Sequence, residues 1–177
     1  NVVLNRSSSP SKMWKAWAEA SKTCRSGSNE RPVAIVQLSH PGRQSPPSVS
    51  LNRPVAPSNV PFQLPGVGIQ LFRSPRPLTL EEVRELPTKF ANAAALAVAA
   101  GFDGVQIHGA HGYLLSQFLS PHTNRRSDVY GGNAANRRRL LLEILAAVRV
   151  AIGTRCMLSV KVNCQDFRVG GLEPSEA

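Results

Sequence analysis

Three short runs of apolar and β-branched residues alternate with helical patterns, and this alternation constrains the fold more than any other feature. The runs are "PVAIVQL" (32–38), "DGVQIH" (103–108) and "CMLSVKVN" (156–163). A short helix is predicted over 12–22. A longer one is predicted from Thr79 to about Ala100, and a third, strongly periodic, over 136–152. Strand and helix in strict alternation imply parallel strands joined by right-handed crossovers. An open doubly wound sheet and part of a (β/α)8 barrel both satisfy that order. No GxGxxG follows any of the runs, which counts against a dinucleotide-binding unit. Both architectures bind ligands at the carboxyl ends of their strands. The strand ends Gln37–His40, Gln106–Tyr113 and Lys161–Asn163 are therefore expected to converge on one face.

Local chemistry supports the helix boundaries. Thr79 and Glu82 have capping-box spacing, and Gly101 and Gly153 follow the last periodic residues, as left-handed terminators do. Pro87 falls inside the second helix, where it deletes a backbone hydrogen bond at a cost of ~3 kcal/mol, so a kink or a later start is expected. In the first helix Met13, Trp14 and Trp17 are expected to form the apolar stripe, with Ala18 beside it. The run at 32–38 reads as a fully buried parallel strand. Residues 39–78, dense in Pro, Ser and Asn at their start, read as a long irregular loop within a single domain spanning 1–177. Arg137, Arg138 and Arg139 open the third helix, where the dipole disfavours cations, and are expected to be solvated unless an acid or anion partners them.

The most chemistry-bearing stretch is His108-Gly-Ala-His111-Gly-Tyr113, just past the second strand. A polar turn with satisfied imidazoles is one account of it. Metal binding is a weaker one, because the flanking glycines disfavour a helix and no HExxH glutamate or cysteine pair completes a shell. A third account is electrophile activation. Neutral imidazoles donate N–H bonds to a carbonyl oxygen as charge develops there, and a nearby phenol acts as general acid.

"GFDGVQIHGAHGYLLSQFLSPHTNRRSDVYGG" resembles the strand-four signature of the Old Yellow Enzyme family of NAD(P)H:flavin oxidoreductases, or ene-reductases. "VAIVQLSHPGRQS" is similar to the family's strand-three segment and "LSVKVNCQDF" to its strand five, in the same order. The resemblance covers residues 12–177 and implies an α/β fold, a partial (β/α)8 TIM barrel of about strands three to five with flanking helices. It implies FMN as cofactor and NAD(P)H as reductant. By position, His108 and His111 resemble the pair that binds the substrate carbonyl, and Tyr113 the acid that protonates the α-carbon. Gln37 resembles the residue that bonds the flavin pyrimidine edge, and Lys161 the cation near flavin N1 and O2. The implied reaction is ping-pong hydride transfer from NAD(P)H, through FMN, to an activated alkene. His40, Arg43 and Gln44 also match, with loop structure at least as apt as ligand contact. Arg126, Asp128 and Tyr130 in "TNRRSDVYGG" read as loop-fixing groups.

Asn133 replaces the family's serine, and is itself a good N-cap. The chain does not open on Met and has 177 residues, against about 250 for a full barrel, so it reads as a central fragment. The alternative function is then a truncated, inactive remnant that cannot retain FMN alone. The net charge of +10 raises nucleic-acid binding, but the basic residues are spread out and no stacking platform accompanies them. No apolar run is long enough to cross a membrane. Three cysteines without CxxC pairing suit a reducing, cytoplasmic setting, and a small activated alkene is the expected partner.

Overall fold

The computed structural model describes residues 10–23, 31–46, 53–62 and 72–177. Its elements run α1 (Pro10–Thr23), β1 (Ile35–Leu38), β2 (Val55–Ala56), β3 (Arg76–Pro77), α2 (Leu80–Ala99), β4 (Gly104–Gly109), α3 (Leu114–Leu119), α4 (Ala134–Ile152) and β5 (Met157–Val162). The main sheet has the order β1-β4-β5, and β2 pairs with β3 in a second, two-stranded one. β1 runs parallel to β4, with Gln37 opposite Gln106 and Leu38 opposite Ile107. β5 runs the same way, since Gly104 lies against Met157 and Gly109 against Lys161 and Val162. A parallel sheet with helices between its strands is the expected partial barrel. Segment 39–78, expected to be irregular, holds a 3-10 turn at Gly42–Gln44 together with β2 and β3.

The chain divides into two compact units, 1–38 with 86–107 and 144–160, and 39–85 with 108–143 and 161–177. The first unit is a sheet packed on helices. Val105 and Ile107 of β4 are fully buried, with Phe90, Ala94, Ala97, Ile144 and Val148 also in its core. Residues two apart in a strand share a face, so Val105 and Ile107 point one way and Gln106 and His108 the other. Gly104 is required here: a Cβ would stand 2.1 Å from the carbonyl oxygen of Met157. The stripe expected on α1 is corrected. Met13 and Trp17 are 59% and 56% exposed, and Ala18 is the buried residue. Trp14 meets Phe102 edge-on at 6.0 Å. The expected full burial of 32–38 is also corrected. Within β1 only Leu38 is buried, because among the described residues β1 has a neighbouring strand on one side only.

Helix ends follow the local signals. The Glu82 carboxylate accepts from the Thr79 N–H (2.8 Å), and the Glu82 N–H donates to Thr79 Oγ1 (3.2 Å). α2 therefore starts at Leu80 and runs through Pro87, not from a later start. At its other end Gly101 takes φ 106°. Its N–H reaches Val98 and that of Phe102 reaches Ala97, the paired bonds of a Schellman motif. Asn133 caps α4 through the Asn136 N–H (2.9 Å).

In the second unit Leu114, Leu115, Phe118, Leu140 and Val83 form the buried centre. Arg126 ties its loop as expected. It pairs with Asp128 and donates to the carbonyls of Pro57 and Leu78, while the Tyr130 hydroxyl donates to Glu143. Arg137, expected on a solvated face, is buried instead. It donates to the carbonyls of Leu119 (2.8 Å) and Gly132 (2.6 Å) and pairs with Glu176 (2.6 Å), an acid 39 residues away. Arg138 and Arg139 are exposed.

Candidate active site

β4 delivers His108, buried at 4% exposure, and the chain then turns sharply. His111 and Gly112 take φ 59° and 68°, and the Tyr113 N–H returns to the Ala110 carbonyl (3.2 Å). Two central residues with positive φ are the requirement of a type I′ turn. Gly112 adopts that conformation freely, but His111 pays about 1–2 kcal/mol for it. The result brings three rings together. His108 meets His111 edge-on with centroids 4.9 Å apart, and meets Tyr113 edge-on at 5.1 Å.

The protonation of His108 follows from its bonds. Its Nδ1 accepts the Ala110 N–H (3.2 Å), so the neutral ring carries its proton on Nε2. Burial pushes the His108 pKa down, and the nearby His111 and Lys161 push it the same way. His108 is therefore a neutral N–H donor with its proton on the nitrogen that Ala110 does not hold. His40 has the same arrangement, accepting the Gly42 N–H on Nδ1 (3.0 Å). The Tyr113 hydroxyl makes no hydrogen bond among the described residues, which leaves it available to a ligand.

Gln44 and Arg43 have structural roles. Gln44 Nε2 donates to the carbonyls of His111 (3.1 Å) and Gly112 (2.8 Å). Arg43 donates to the carbonyls of Val60 and Pro61 and lies over the Phe62 ring. Motif and spacing do not single out Gln117, which is 1% exposed and donates to the Gly112 carbonyl (2.6 Å). Its position on a short buried helix directly after the turn is the signal that could have found it.

Gln37 belongs to the sheet unit. Its Nε2 donates to Gln106 Oε1 (2.7 Å), and Gln106 donates on to Ser159 Oγ (3.3 Å), a polar ladder across the three strands. That bond leaves the Gln37 carbonyl oxygen free to accept. Lys161 is exposed at the end of β5, and its ammonium has no partner among the described residues. Gln37 thus offers an amide acceptor, and Lys161 a cation without a partner among the described residues. Among the described residues no three His, Cys, Asp or Glu side chains gather as a metal site.

Parallel strands of a partial barrel carry a neutral histidine donor and, past the carboxyl end of the same strand, a phenol that makes no hydrogen bond among the described residues. Comparison with known proteins gives the family. Residues 19–177 match the NADH:flavin oxidoreductase / NADH oxidase family, and the chain belongs to it as an Old Yellow Enzyme-type fragment. It is 44% identical over 145 residues to the NADH-dependent flavin oxidoreductase nadA of Aspergillus parasiticus, covering 82% of this chain and 32% of that protein. Among solved structures it is similar to the old yellow enzyme homologue of Zymomonas mobilis, with 38% identity and a TM-score of 0.70 over 81% of this chain and 42% of that one. It is also similar to morphinone reductase in complex with tetrahydroNAD, with 30% identity and a TM-score of 0.75 over 90% and 45%. The chain thus spans about a third of the curated relative and less than half of either solved chain.

Proposed function

We propose that this chain forms the substrate-activating part of an FMN-dependent oxidoreductase that reduces activated C=C bonds, such as those of enones, with NAD(P)H. The observation that carries the reading is the grouping of a neutral Nε2–H donor on His108 with His111 and a Tyr113 hydroxyl that makes no hydrogen bond among the described residues. FMN, when bound, supplies the route by which a hydride from NAD(P)H reaches the alkene β-carbon. The two imidazoles bind the substrate carbonyl oxygen and stabilise the negative charge that gathers there. Tyr113 gives its hydroxyl proton to the α-carbon, and solvent returns a proton to the phenolate. Gln37 would accept a hydrogen bond from the flavin, and Lys161 would offset negative charge on the reduced flavin.

Replacing Tyr113 with Phe tests the assignment. In the FMN-loaded protein, enone reduction should slow by about a hundredfold or more, the usual scale of a lost general acid. Flavin reduction by NAD(P)H should change by less than about threefold, because no proton passes to carbon in that step. Equal slowing of both half-reactions would remove Tyr113 from this role.

A second reading has its own observation. Val33, Ile35, Met157, Val160 and Val162, on or beside the edge strands, are exposed. Uncovered apolar edges suit a remnant that cannot retain FMN by itself. Flavin titration of the 177 residues separates the readings: tight, stoichiometric binding supports the enzyme, and failure to bind alone supports the remnant.

A further inference from the structure

The left-handed turn that carries His111 leaves two peptide groups to be satisfied by side chains. The His111 N–H donates to Asn163 Oδ1 (3.1 Å), and the Gly112 N–H donates to Ser116 Oγ (3.3 Å). Asn163 Nδ2 also donates to Ser116 Oγ (3.3 Å), which links the two acceptors. On the carbonyl side Gln44 and Gln117 hold His111 and Gly112. Side chains from the end of β5, from α3 and from the turn at 42–44 thus hold one strained dipeptide. Of these, Asn163 is the only one bonded to the His111 N–H.

From this geometry we infer that Asn163 is a positioning residue. By accepting the His111 N–H it keeps that residue at positive φ and its imidazole against His108, in register for a shared carbonyl oxygen. Removing the acceptor leaves a strained, non-glycine residue with an unmade bond, and the favourable response is to relax to negative φ. The ring then swings away from His108. The role of Asn163 in substrate binding rests on the proposed function, whereas its hold on the turn does not.

The test uses Asn163→Ala and Asn163→Asp in the full chain. In the native protein, ring protons 4.9 Å apart between centroids should give an NMR cross-peak between His108 and His111. Asn163→Ala should lose that cross-peak and shift the His111 amide resonance. Asn163→Asp keeps the acceptor and should retain the cross-peak. In the FMN-loaded protein Asn163→Ala should also lower kcat/KM for an enone about tenfold, the scale of one lost hydrogen bond. A retained cross-peak in Asn163→Ala, or its loss in Asn163→Asp, overturns the inference. If Asn163→Ala does not fold, the Asn163→Asp spectrum decides by itself. A cross-peak that responds as expected in a native protein inactive toward enones would leave the positioning intact and defeat the proposed function instead.

Discussion

Strands β4 and β5 lie side by side and are built of similar residues, yet their surroundings differ. β4 is buried along nearly its whole length, while Met157, Val160, Lys161 and Val162 of β5 are exposed. β4 has neighbours on both sides, and β5 bonds to β4 alone among the described residues. The consequence is chemical as well as structural. His108, on the central strand, has its tautomer, ring contacts and pKa set by residues of this chain. Lys161, on β5, has no ammonium partner among the described residues. A site built on a central strand is preorganised by the chain itself, whereas one on an edge strand is completed by whatever comes next to it.

Substitutions in the two strands should break this contrast or sharpen it. Gly104→Ala drives a Cβ into the Met157 backbone. It should destabilise the chain by about 3 kcal/mol, the scale of overpacking a site that cannot yield. Val160→Thr on β5 should change stability by less than about 0.5 kcal/mol, as exposed positions do. Urea unfolding of both variants checks the pair, and equal losses would erase the distinction between the strands.

A smaller effect is pH-dependent. The folded pKa of His108 lies below the ordinary 6.5. As pH falls through 6.5 the unfolded chain takes up a proton that the folded chain refuses, so stability is lost. The contribution is complete above about 6.5 and declines from there down to the folded pKa. Replacing His108 with Gln should flatten the stability profile in that window, measured by unfolding at a series of pH values. An unchanged slope would mean that His108 is not the group responsible.

The parts of this fold legible in the sequence are those decided within a few residues. Thr79 with Glu82, Gly101 with its Schellman bonds, and Asn133 as a cap are all local, and each appears as expected. The histidine–tyrosine cluster was legible for the same reason, since six residues and one turn assemble it. What escaped depends on distant partners. Arg137 is buried because Glu176 and two carbonyls reach it, and no helix-start rule includes an acid 39 residues on. Met13 and Trp17 follow the right period but face solvent, because periodicity gives a stripe and not its partner. β2 and β3, two residues each, fall below what any pattern resolves. The hold of Asn163 on His111 joins positions 52 apart, and only folding brings them together.

The central claim is that His108 is a neutral imidazole offering its Nε2–H to a substrate carbonyl. Nitrogen-15 NMR of the histidine rings near neutral pH tests it directly. The account predicts an unprotonated Nδ1 and a protonated Nε2 for His108, persisting as pH is lowered below 6.5. A proton on Nδ1, or an imidazolium at neutral pH, would contradict it.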